Sequence, residues 1–129
     1  MQRERITERL RSSYGSEPEY LWRQYPNAAV FRHPATGRWY GLLMDVAPEK
    51  LGLNGDAPVD VMTVKVDPSL VGGLLRTPGF HPAYHMNKSN WVSAELDGRV
   101  PDEALLPLLD MAYAMVAPKR KGKSTPPSP

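Results

Sequence analysis

Two short stretches hold most of the side chains that could do chemistry. The first is PGFHPAYHMNKSNW, residues 78–91, which carries His81, His85, Asn87, Lys88 and Trp91. A lysine in a loop presents an ammonium to phosphate, and Asn87 and His85 can donate hydrogen bonds beside it. The competing reading of Lys88 is a solvated side chain whose stem covers Trp91. His85 can equally serve as a neutral ring that fixes the loop through backbone hydrogen bonds. Trp91 opens a strand and is expected to bury its ring rather than stack on a base. The second stretch surrounds Pro34-Ala35-Thr36-Gly37, where Arg32, His33 and Arg38 make a small positive hairpin tip. Two arginines there suit a phosphate backbone, and they equally keep an exposed tip soluble.

Catalytic and metal chemistry find little support. His81 and His85 have the four-residue spacing of a helical metal pair, but Pro82 between them opposes a regular helix. No carboxylate stands close to them in sequence. The absence of cysteine removes thiolate nucleophiles, thiolate ligands and disulfides together. There is no glycine-rich phosphate loop, Walker pattern or nucleophile elbow. The expectation is a non-enzyme with no metal and no cofactor.

The elements that must position these residues follow from pattern. Residues 2–14 read as a helix, with Ile6 and Leu10 four apart on one face, and Gly15-Ser16 ends it. Pro18 can open a helical turn through Tyr20, Leu21 and Trp22. Residues 28–33 and 38–46 form a hairpin, because Pro34 presets the turn and Gly37 supplies a positive φ. Strict alternation in the second arm puts Tyr40, Leu42, Met44 and Val46 on one face and Trp39, Gly41, Leu43 and Asp45 on the other. Both sets are largely apolar, which predicts a strand inside the sheet. Residues 48–58 are a loop, and 59–66 a third strand with a bulge at Val61/Met62. Asp67-Pro68 caps and starts a short helix to Arg76, weakened by Gly72-Gly73. Residues 77–90 are an irregular connection, 91–96 a fourth strand, and Asp97-Gly98 a turn. A last helix follows with Pro101 in its first turn and Pro107 inside it. Its apolar stripe is Leu105, Leu109, Ala112 and Val116. Helices at both ends of an antiparallel sheet predict an α+β fold, with the N- and C-terminal helices packed on one face.

At 129 residues, 41% hydrophobic and 23% charged, the chain fits one domain. We expect it to span residues 1–117, followed by a disordered basic tail, 118–129, rich in Pro, Ser and Lys. No apolar run is long enough to cross a membrane, and the charged N-terminus lacks a secretory signal, so a cytoplasmic protein is expected. The formal charge of +2 is uneven. The tail holds Lys119, Arg120, Lys121 and Lys123 and no acid, which leaves −2 on residues 1–117. Within them, residues 1–38 have seven arginines against four glutamates, and 39–117 have five basic against ten acidic residues. A basic footprint over the whole molecule is absent, so nucleic-acid binding needs a local patch or the tail.

Pro82-Ala83-Tyr84-His85-Met86-Asn87-Lys88, then Trp91 and Leu96-Asp97-Gly98, resembles the signature of the MmcQ/YjbR family. The stretches Tyr25-Pro26-Asn27-Ala28-Ala29-Val30-Phe31 and Val64-Lys65-Val66-Asp67-Pro68 are similar to the family's entries into its first strand and middle helix. The likeness runs in order through nearly all of residues 1–117, with Asn90 where the family often has His. The resemblance implies a CyaY/frataxin-like α+β domain and DNA binding through a double-wing arrangement of strands and loops. Lys88, His85 and Asn87, with Arg32 and Arg38, would then contact DNA weakly and in a salt-dependent way. The alternative is a module that binds a protein or small ligand through the 80–91 loop.

Overall fold

The computed structural model describes residues 2–96 and 98–118. The elements run α1 (Arg3–Tyr14), β1 (Ala29–Arg32), β2 (Trp39–Val46), β3 (Val59–Lys65), α2 (Pro68–Leu75), β4 (Phe80–Pro82), β5 (Trp91–Glu95) and α3 (Asp102–Met115). The five strands make one sheet in the order β1-β2-β3-β5-β4. Every neighbouring pair is antiparallel. The fold is α+β, with the helices on one face, as the alternation of elements predicts.

That face holds the larger core. Ile6 and Leu10 of α1 and Leu105, Leu109 and Ala112 of α3 bury against Phe31, Leu43, Met62, Val64, Val92 and Ala94 of the sheet. Val71 and Leu74 bring α2 onto the same core. The arginines of α1 then join the helices at the surface. Arg5 pairs with Asp102 at 3.2 Å and Arg9 with Asp110 at 3.4 Å. Tyr14 donates its hydroxyl to Asp110 and stacks on Tyr113 with ring centroids 4.0 Å apart. Asp67 caps α2 as expected, its Oδ1 accepting from the Ser69 N–H at 2.9 Å.

Four local expectations are corrected. Pro18 opens no helical turn, because Glu19 instead exchanges backbone hydrogen bonds with Val30 at 3.0 and 2.9 Å and lies along β1. The connection 77–90 contains β4, whose Phe80 sits opposite Ala94 and buries its ring. No register shift occurs at Val61/Met62; the pairing of β3 with β2 is continuous there, and alternation looks broken only because both faces are apolar. The shift lies between β1 and β2, where Phe31 faces Gly41 but Arg32 faces Trp39.

This bulge has a large consequence. Tyr40 is the extra residue, so it and Gly41 both turn toward the helices, and Trp39 is moved to the opposite face. A Cβ at position 41 would meet the terminal methyl of Met62, so a larger residue there would require that flexible side chain to swing aside. The predicted grouping of Tyr40 with Leu42 and Met44 therefore fails, and Trp39 joins those two residues instead.

Candidate functional site

The face opposite α1, α2 and α3 carries a second apolar cluster of Ala28, Val30, Leu42, Met44, Val46 and Val61, joined by Leu51 from a 3-10 turn, Pro48–Leu51, within the expected 48–58 loop. Two segments rise along its edges. One is the extended stretch before β1, which brings Trp22 and Tyr25. The other is the loop after β4, which brings Tyr84, His85 and Met86. Between them lies a groove of about 460 Å³, floored by Ala28, Leu42, Met44 and Val46 and with Lys50 at its rim. Trp22 meets Trp39 edge to face at 5.9 Å and 79°. Across the groove, the rings of Tyr25 and His85 approach to 6.3 Å.

The loop is held in place by polar groups of the sheet. Ser93 Oγ accepts from the Tyr84 N–H at 3.2 Å and hydrogen bonds with Thr63 Oγ1 at 2.7 Å in a buried pair. His85 has φ +66°, a left-handed backbone that costs a residue with a Cβ about 1 kcal/mol. Its ring lies 4.0 Å from that of Tyr84. Beyond the loop, His81 hydrogen bonds through Nε2 to Glu95, which Arg99 also grips at 2.7 and 3.1 Å. Glu95 is 2% exposed. The Arg99 hydrogen bond holds its carboxyl below the ordinary carboxylate range against the opposing effect of burial, and His81 adds to the lowering.

One end of the sheet is basic. Arg32 ends β1, Arg38 precedes β2 and Lys65 ends β3. The Asn90 carbonyl accepts from the Val66 N–H at 2.9 Å, which stitches the turn bearing Lys88 to the same end. The cations there differ in their partners. Arg32 is ion-paired with Glu19 at 3.0 Å and lies 5.8 Å from the Trp39 ring centroid. Lys65 lies 5.6 Å from the Trp91 ring centroid. Its ammonium is held below its ordinary value first by burial and then by the charge of Arg38. Among the described residues, no carboxylate pairs with Arg38, Lys65 or Lys88. The far end of the sheet is acidic, with Asp45, Glu49, Asp56 and Asp60 around the β2–β3 connection.

The residues expected from sequence to contact DNA therefore divide. Arg38 and Lys88 are exposed at the basic end. Asn87 sits beside Lys88, but its Oδ1 is used locally, accepting from the Ser89 N–H at 2.8 Å. His85 lines the groove, and Arg32 is tied to Glu19. His33 is no part of a positive tip: it is 7% exposed, stacks on Tyr113 at 4.3 Å, and its Nδ1 accepts from the Ala35 N–H at 3.0 Å. Trp91, 5% exposed, is core as expected. Sequence reading missed Lys65, a strand residue whose position level with the hairpin turn only strand pairing reveals. It also missed the groove role of Trp22 and Trp39. The basic tail expected over residues 118–129 lies, beyond Pro118, outside the described residues, as does Asp97.

A family model described as YjbR matches residues 10–115. The chain belongs to the YjbR family. The uncharacterized YyaQ protein of Bacillus subtilis (strain 168) is 37% identical over 111 residues, covering 86% of this chain and 94% of that protein. A crystal structure of a Pseudomonas syringae protein superposes with a TM-score of 0.88 at 39% identity, covering 91% of this chain and all of that one. A solution NMR structure from Pseudomonas syringae gives 0.83 at 38% identity, covering 94% and 97% of the two chains. A Deinococcus radiodurans protein with a DUF419 domain gives 0.65 at 26% identity, covering 95% and 90%. The YjbR match spans both edges of the groove and all four cations of the basic end. Among the described residues no helix is long and apolar enough to cross a membrane, and no group of three or more His, Asp or Glu side chains is placed to hold a metal ion.

Proposed function

We propose that this YjbR protein binds DNA weakly through phosphate contacts at the basic end of its sheet. The observation that carries the reading is a contrast among its cations. Arg3, Arg5, Arg9 and Arg11 on α1 all have carboxylate partners. Arg38, Lys65 and Lys88 converge on one end without any among the described residues. Crowding like charges is unfavourable, and a phosphate backbone relieves it while releasing its own counterions. Lys88 and Arg38 make the contacts, Lys65 supplies potential from beside them, and Asn87 and His85 border the Lys88 turn. Arg32 contributes once Glu19 yields it. The Val116 carbonyl accepts from Thr36 Oγ1 in the hairpin turn, and the Lys119–Lys123 run begins three residues later in the sequence. No catalytic step belongs to this function.

Fluorescence anisotropy with a labelled duplex at low and physiological salt tests it on the full chain. Lys88→Ala and Arg38→Ala should each weaken binding to all sequences alike and reduce the salt slope by about one. Both side chains are exposed, so the fold should be unaffected. Wild-type affinity in both variants would refute the assignment.

A further inference from the structure

The groove has the attributes of a small-molecule site in its own right. Its volume of about 460 Å³ falls within the range of pockets that enclose drug-sized ligands. Side chains from three separate parts of the chain line it, and the Tyr25–His85 approach narrows its opening. The lining is chemically selective. Trp22, Trp39, Tyr25 and Tyr84 offer ring edges and faces, and Met44 and Met86 offer polarisable thioethers, a combination that favours a flat conjugated ring. An aliphatic chain would gain the burial without the ring contacts.

The rim decides the charge. Lys50 is exposed at the edge and has no carboxylate partner among the described residues. Asp45 also borders the groove, but alternation along β2 turns its side chain from the face of Met44 and Val46, and Asn27 donates to it at 3.2 Å. We infer that the groove binds a small planar aromatic carboxylate, with its ring between Trp22–Trp39 and Tyr84–Met86 and its carboxylate toward Lys50. The strained backbone of His85 holds that ring at the opening, a use of local strain common where a loop must present a side chain.

The test is an NMR titration of the full chain with 2-naphthoate, 2-naphthol and octanoate. Naphthoate should shift the indole N–H signals of Trp22 and Trp39 saturably and leave that of Trp91, which does not line the groove. Naphthol keeps the ring without the charge and should bind about threefold more weakly, the scale of an exposed charge pair. Lys50→Gln should lower naphthoate affinity by about the same factor and leave naphthol unchanged. Absence of saturable shifts at millimolar naphthoate, or shifts centred on Trp91, would overturn the site. Octanoate binding as tightly as naphthoate would overturn the aromatic assignment, and equal affinity for naphthoate and naphthol would overturn the anion. Lys50 is remote in the sheet from Arg38 and Lys88, so none of these results depends on DNA binding.

Discussion

On one face of the sheet Phe31, Tyr40, Leu43 and Met62 lie beneath α1 and α3; on the other, Trp39, Leu42 and Met44 look into a groove. The two sets alternate along the same strands and are similarly apolar. What separates them is the covering. Helices seal the first face with Leu105, Leu109 and Ala112, while the second is bordered by two irregular segments and a 3-10 turn, Pro48–Leu51, whose Leu51 packs on it. The floor of the second face is itself buried, so the groove is a recess in a packed surface, and the ligand site inferred above rests on that recess. The helix-covered face supplies the larger core, and the groove face carries the inferred ligand site.

That division can be broken by mutation. Leu109→Ala, on the covered face, should cost about 2–5 kcal/mol in urea unfolding, the usual range for truncating a buried leucine. Trp22→Ala, on the edge of the groove, should cost only about 1–2 kcal/mol despite removing more atoms, because the ring is only partly buried. Equal losses would mean that the groove is simply a second core.

Glu95 sharpens the comparison from the polar side. Its folded-state value is depressed, so its contribution is present above the ordinary carboxylate range and is lost as pH falls through the depressed value. Thermal melting followed downward from pH 6 should show that loss in wild type. Glu95→Gln should lower the neutral-pH Tm and flatten the acid limb; an unchanged acid limb would show that Arg99 and His81 do not act through Glu95.

The smallest effect is expected at Tyr40. Burial pushes its phenol up to about 12 against a smaller lowering by the neighbouring Ser16 hydroxyl, whose approach falls short of good hydrogen-bond geometry. Tyr40→Phe should therefore change stability by less than about 1 kcal/mol in the same urea assay. A larger loss would reveal a hydrogen bond from that hydroxyl.

How much was legible beforehand depends on the range of the interactions involved. The α1 stripe of Ile6 and Leu10, the Asp67 cap, the hairpin around Gly37 and the α3 stripe are local patterns, each decided by residues within a turn or two. The motif from Tyr84 to Trp91 likewise pointed to the right family. Strand β4 escaped because three residues including a proline carry almost no periodic signal, and Phe80 is extended only because β5 offers it partners. The groove escaped because a bulge of one residue reverses the face of Trp39, and alternation assumes no bulge.

The sequence by itself therefore determined the α+β class, the helices and their buried stripes, and the family, because these depend on composition and short-range spacing. Only the tertiary structure decided which cations are neutralised and which are left facing each other. It alone brought Tyr25 within reach of His85, residues 60 positions apart in the chain. Charge pairing and cavity walls are made between segments that meet only when the sheet closes, and no local pattern encodes them.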